Sequence, residues 1–140
     1  MTRPALALLV ALSLAGCGGD DDSGDARLRL VIPDNNIRTE GVECSGAQPF
    51  RHVHRGTPYA IEAANGTVVA EGELPAGSAQ NADPKIDWES DRFPTVCVMD
   101  FEADLDPAPR YRFVVDGSLP VTFDGSQLDG ERRTLIVLGG

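Results

Sequence analysis

Tyr59-Ala60-Ile61-Glu62-Ala63-Ala64, Asn65-Gly66, Thr67-Val68-Val69-Ala70-Glu71 is the stretch that decides the fold class. Its alanines and glutamates would suit a helix, but Asn-Gly in the middle of the run would break one. Read as two strands, the same residues alternate with a period of two, and Asn65-Gly66 supplies the two positive φ angles of a type I′ turn. A two-residue turn sets the register, placing Ile61 opposite Ala70 and Ala63 opposite Val68 on one face, with Glu62 and Glu71 on the other. The stretch is a hairpin.

The period of two continues on both sides of it. Upstream, Leu28, Leu30 and Ile32 alternate with Arg27, Arg29 and Val31 until Pro33-Asp34-Asn35 breaks the run, which predicts a first strand with one buried face. Downstream, Leu74-Pro75-Ala76-Gly77 ends the hairpin. Ser78 to Arg92 is polar, contains Pro84 and reads as a long loop, with only Ile86, Trp88 and Phe93 to anchor it. Val96 to Ala103 is the next strand, with Cys97, Met99, Phe101 and Ala103 on its inner face. Beyond Asp106-Pro107-Ala108-Pro109 come Tyr111, Phe113 and Val115, the Asp116-Gly117 turn, Pro120 to Phe123, the Asp124-Gly125 turn and a last strand, Thr134 to Leu138. Six to eight short strands joined by turns predict an all-β, antiparallel, immunoglobulin-like β-sandwich over residues 26–140. An immunoglobulin domain proper would carry a Trp about a dozen residues after its first Cys and a Tyr just before its second. Tyr59 and Thr95 stand near those places, so the likeness is one of architecture.

At 140 residues the chain is sized for one such domain. Its formal net charge is −10 and Lys85 is its only lysine, so it has no basic footprint for nucleic acid or for an anionic lipid surface. With 41% hydrophobic residues, disorder of the whole chain is excluded on composition.

The first residues read as an address. Met1-Thr2-Arg3 is a short positive region, and Ala5 to Leu14 is an apolar run about half the ~20 residues a membrane-spanning helix needs. Leu14-Ala15-Gly16-Cys17 resembles the lipobox of bacterial lipoproteins at all four positions. That resemblance implies a signal peptide over residues 1–16, a diacylglycerol on the thiol of Cys17, and attachment to the outer, extracytoplasmic face of the cell membrane. Two acyl chains hold stably where one binds only marginally. Ser13-Leu14-Ala15 also fits an ordinary secretory cleavage site, and either route exports the chain. Residues 17–25, with Gly18-Gly19-Asp20-Asp21-Asp22-Ser23-Gly24-Asp25 after the cysteine, have no apolar anchor and read as an acidic flexible tether. Its eight residues after Cys17 reach at most ~28 Å.

With Cys17 assigned to the lipid, Cys44 and Cys97 remain, and an oxidising compartment favours a disulfide between them. Cys44, Gly56-Thr57, Asn65-Gly66-Thr67-Val68-Val69-Ala70, Gly72, Leu74, Gly77, Cys97, Phe101, Tyr111 and the closing Leu-rich strand together resemble an uncharacterised group of small exported proteins and lipoproteins common in actinobacteria. The matching positions are turn glycines and core residues, so the resemblance implies fold and location and carries no catalytic residue across.

Few residues offer chemistry. His52 and His54 are the only histidines, and on a strand positions i and i+2 would aim both imidazoles at one metal. His52-Val53-His54 resembles a copper-ligand stretch of the copper/zinc superoxide dismutases, but that family needs further histidines, which argues against dismutase activity. A third ligand would have to be a carboxylate such as Asp100 or Glu102, and Arg51 and Arg55 oppose a dication. The bland reading is a pair of exposed histidines and no metal site. Asp100, Glu102, Asp104 and Asp106 alternate as a solvated strand face, because the spacing fails an EF-hand loop at Leu105 and Tyr111. Asn65-Gly66-Thr67 matches a glycosylation sequon that a tight turn explains equally well. GxSxG, Walker and HExxH signatures are absent from the sequence. The expectation is therefore a membrane-anchored, non-catalytic binding or structural module of the cell envelope. It has no cofactor, no catalytic residue, no nucleic-acid partner and an unidentified envelope protein or glycan as its partner. The alternative is a small metal-handling protein or enzyme centred on His52 and His54.

Overall fold

The computed structural model describes residues 24–116, 118–128 and 133–139. The signal peptide, the lipobox with Cys17 and most of the tether lie outside them. Among the described residues the chain forms nine strands: β1 (Gly24–Thr39), β2 (Glu43–Cys44), β3 (Pro58–Ala63), β4 (Val68–Glu73), β5 (Gly77–Asn81), β6 (Arg92–Leu105), β7 (Arg110–Val115), β8 (Val121–Asp124) and β9 (Thr134–Val137), with a single 3₁₀ turn at Gly125–Gln127. They make two sheets, ordered β2-β5-β6-β1-β9 and β4-β3-β7-β8. Every neighbouring pair is antiparallel except β1 with β9, which run parallel. The β-sandwich expected from the alternation is the fold. Among the described residues no helix is long and apolar enough to cross a membrane.

The inner faces are those the alternation identifies. Leu28, Leu30 and Ile32 of β1, Cys97 and Met99 of β6 and Tyr111, Phe113 and Val115 of β7 are all buried in one core, with Ile61, Phe123, Ile136 and Leu138. Burying each large apolar side chain stabilises the fold by ~1.5–3 kcal/mol. Tyr59 sits between Phe101 and Phe113, with ring centroids 4.8 and 5.6 Å away. The Tyr111 hydroxyl donates back to the Asp106 carbonyl, tying the corner where the chain leaves β6 for the other sheet.

Four details differ from the sequence reading. First, Pro33-Asp34-Asn35 does not end β1. Pairing with β6 breaks after Pro33↔Val96 and resumes at Asn36↔Thr95, so Asp34 and Asn35 form a bulge inside a continuous strand. Asn35 takes the left-handed φ of 54°, which Asn tolerates better than most residues. Second, the hairpin turn is not type I′. Ile61 does face Ala70, but a bulge then sets Glu62, rather than Ala63, opposite Val68. Gly66 N–H donates to Ala63 O and Ala63 N–H to Thr67 O, and only Gly66 of the Asn-Gly pair has positive φ. This is a turn closed by a glycine bulge, and it leaves Val68 exposed instead of inward.

Third, Ser78 to Asn81 are strand β5, with Ala79 buried between polar neighbours, so the loop shrinks to residues 82–91. Trp88 anchors it by donating to Asn81 Oδ1 at 3.2 Å, whereas Ile86 is exposed. Fourth, Gly24 and Asp25, read as the end of the tether, pair with Leu105 and Asp104. The Cys44–Cys97 disulfide expected from the cysteine count is present, with Cα atoms 5.6 Å apart, and joins β2 and β6 of the same sheet. It passes over Gly77 of the intervening β5, where a Cβ would lie 2.3 Å from Cys97 Sγ. Only glycine leaves room there.

Candidate functional site

β8 and β9 are the outermost strands of the two sheets on one side of the sandwich, and the gap between them is a groove of about 510 Å³. One wall is Val137, Leu138 and Gly139, the other Ser118, Leu119, Pro120 and Val121; Pro49, Phe50 and His52 close the end. The loop carrying Phe50 and His52 is pinned from below. Val53 is fully buried, its N–H donates to Phe50 O, and Gly46 N–H donates to Val53 O. Thr57 Oγ1 donates to the His52 carbonyl at 2.6 Å and accepts from His54 N–H at 3.1 Å. Gly139, at φ +87°, lets Phe50 and Pro33 approach to distances that a Cβ would block.

On the groove wall His52 Nε2 and Ser118 Oγ are 2.8 Å apart. Ser118 is held by its own N–H donating to Val115 O. Leu119, the next residue, is 87% exposed at the lip. The groove thus combines apolar walls with one polar pair, within the size range of ligand sites.

The two histidines do not share the strand face on which the alternative metal-handling reading depends. Residues 51–54 are turn and bend instead of strand, so no i, i+2 geometry aims both rings at one point. His52 bonds Ser118 across the fold, while His54 Nδ1 donates to the neighbouring Arg55 carbonyl at 2.8 Å. The carboxylates named as further ligands are engaged elsewhere. Asp100 accepts two bonds from Arg29 at 2.7 and 2.9 Å and lies 3.5 Å from Arg133, and Glu102 lies 3.6 Å from Arg27. Among the described residues no group of three His, Cys, Asp or Glu side chains could hold a metal ion.

A second polar centre sits at the β1 bulge. Asp34, 1% exposed, accepts from Thr95 Oγ1 at 2.6 Å, Asn36 Nδ2 at 2.8 Å, and Arg38 Nε and Nη2 at 2.9 and 3.3 Å. Burial alone would push its pKa up; the bonds from Thr95, Asn36 and Arg38 and the Arg38 charge outweigh burial and hold the carboxyl below its ordinary value. Those four bonds fill the roughly four acceptor positions of a carboxylate. Asp34 therefore has nothing left for a substrate proton or a cation, and its work is to fasten the bulge to β6.

Sequence reasoning missed Phe50, Ser118 and Leu119 and took Asp34 for a strand breaker. Asp116-Gly117-Ser118 signals a turn, and no local pattern says which distant histidine the serine will meet. No family model, curated protein or solved structure matches the chain.

Proposed function

We propose that the chain is an exported lipoprotein, anchored through Cys17 to the outer face of the cell membrane. Its β-sandwich is a non-catalytic module that binds an envelope component in the groove between β8 and β9. The observation that carries the binding role is the groove itself: about 510 Å³, lined by more apolar than polar surface, with the His52–Ser118 pair to orient what enters. The match of Leu14-Ala15-Gly16-Cys17 to a lipobox and the acidic run behind it support the location.

The non-catalytic reading is supported by the occupation of the reactive groups. Asp34 is saturated, Asp100 and Glu102 are paired with arginines, and His54 is turned onto its own loop. The His52–Ser118 pair resembles the first half of a nucleophile and base, but such pairs need a third group to orient the imidazole. Among the described residues no carboxylate takes that role for His52.

The test is a photo-crosslinking residue in place of Leu119 in the full chain in intact cells, with the same residue in place of Val68 as background. Val68 is also exposed but lies on β4, at the opposite edge of its sheet. A discrete adduct from position 119 that position 68 does not give is the expected result. Identical patterns from both positions, or none from either, would remove the groove from the account.

A further inference from the structure

The outer edge of β9 is unlike the other edges of the sandwich. Leu138 N–H donates to Val31 O on β1. Backbone groups alternate sides along a strand, so those of Leu135 and Val137 face away from β1. Among the described residues no strand pairs with that side. Proteins usually blunt such edges with charge, proline, a bulge or extreme shortness. β2 has two residues, β4 carries Glu71 and Glu73, and β8 follows directly on Pro120 and ends at Asp124. In a chain of net charge −10, Thr134-Leu135-Ile136-Val137-Leu138-Gly139 has neither a charge nor a proline. Leu135 and Val137 are exposed on it, and Val137 also lines the groove.

We infer that the β9 edge and the adjoining groove capture an extended, uncharged, apolar peptide segment of a partner protein. The segment adds as one more strand to the five-stranded sheet and places an apolar side chain in the groove between Phe50 and Val121. This inference rests on the groove being the binding site. An edge offers its row of donors and acceptors only to a chain that is itself extended, and alternate side chains of such a chain then fall toward the groove. The polar side chains of the lining, His52 and Ser118, are bonded to each other, and among the described residues no carboxylate, lysine or arginine lines the groove, so burying a charged side chain there would be costly. A second copy of this chain fits less well. Four residues give an edge only ~13 Å long, a small part of the contact a stable dimer needs, and each copy carries a net charge of −10 that repels the other.

The experiment uses the purified full chain in lipid nanodiscs. The probe is a fluorescein-labelled, end-blocked peptide, Gly-Thr-Val-Thr-Val-Thr-Val-Thr-Gly, followed by anisotropy. The same peptide with every backbone amide N-methylated keeps the side chains and removes the donors. Saturable binding is expected for the first peptide. At least a tenfold loss is expected for the methylated peptide and for Val137→Lys and Leu119→Asp, two substitutions at exposed positions that leave the core untouched. Equal binding of both peptides, or no binding of the first below about 1 mM, would overturn the inference. So would a chain that sediments as a dimer and becomes monomeric on Val137→Lys, because a second copy would then be the occupant. If the peptide fails while a crosslinker at position 119 still captures a discrete envelope component, the peptide is wrong and the groove remains the site.

Discussion

Asp34 shows how one side chain converts a turn signal into a continuous strand. Pro-Asp-Asn carries the local chemistry of a turn, and bulges use the same residues, so nothing within the tripeptide separates the two outcomes. The decision lies with Thr95, far away in sequence, which donates to the Asp34 carboxylate as Asn36 resumes the pairing. The network also implies a pH dependence. The folded pKa of Asp34 is depressed, so its contribution to stability is fully present above the unfolded carboxylate value of ~3.9 and is lost as pH falls through the folded value. Asp34→Asn replaces an acceptor by an amide that cannot take all four bonds and leaves Arg38 without its counter-charge. At pH 7 the variant is expected to be ~1–2 kcal/mol less stable in urea titrations, the cost of leaving buried hydrogen-bond donors poorly matched beside a half-exposed Arg38. The gap should narrow at pH 3. A gap of the same size at both values would show that the carboxylate acts there by shape instead of charge.

At the scale of elements, legibility followed apolar alternation. β7 and the first half of β1 bury every second residue, and β6 does so apart from Val98 and a partly exposed Phe101, so all three were readable; Cys44 and Cys97 were readable as the two cysteines left once Cys17 was assigned to the lipid. β5 was not, since Gly77, Ser78, Gln80 and Asn81 lack strand-forming side chains. It is a strand because β2 and β6 supply partners on both sides and the disulfide passes over Gly77. The β3–β4 hairpin was half readable: Asn-Gly marked the turn, but two turn types share that dipeptide. They make different demands, because type I′ needs positive φ at both residues and the observed turn needs it only at Gly66. Gly66→Ala is therefore expected to cost ~1 kcal/mol. Asn65→Ala, which loses only the bond from Thr67 N–H to Asn65 Oδ1, should cost less than ~0.5 kcal/mol. Chemical denaturation of the two variants decides it, and equal costs would restore the type I′ turn.

For the whole molecule, the groove is assembled from residues near 50, 120 and 138, brought together by sheet order, and that order is a long-range property no window of sequence contains. Location, by contrast, is proposed from a few adjacent residues. A chain of net charge −10 has no electrostatic hold on an anionic bilayer, so its attachment depends on the acyl chains proposed for Cys17. Among the described residues strand pairing begins at Gly24, seven positions after the cysteine in sequence. Cys17→Ser is accordingly expected to move the chain from the membrane fraction to the soluble one while changing the stability of the domain by less than ~0.5 kcal/mol. Fractionation, intact mass and a urea titration of the released protein check the two halves separately. A serine variant that stays with the membrane and is still cut before residue 17 would sink the anchor. A wild-type chain found without lipid and starting at Gly16 would instead establish the ordinary signal cleavage after Ala15.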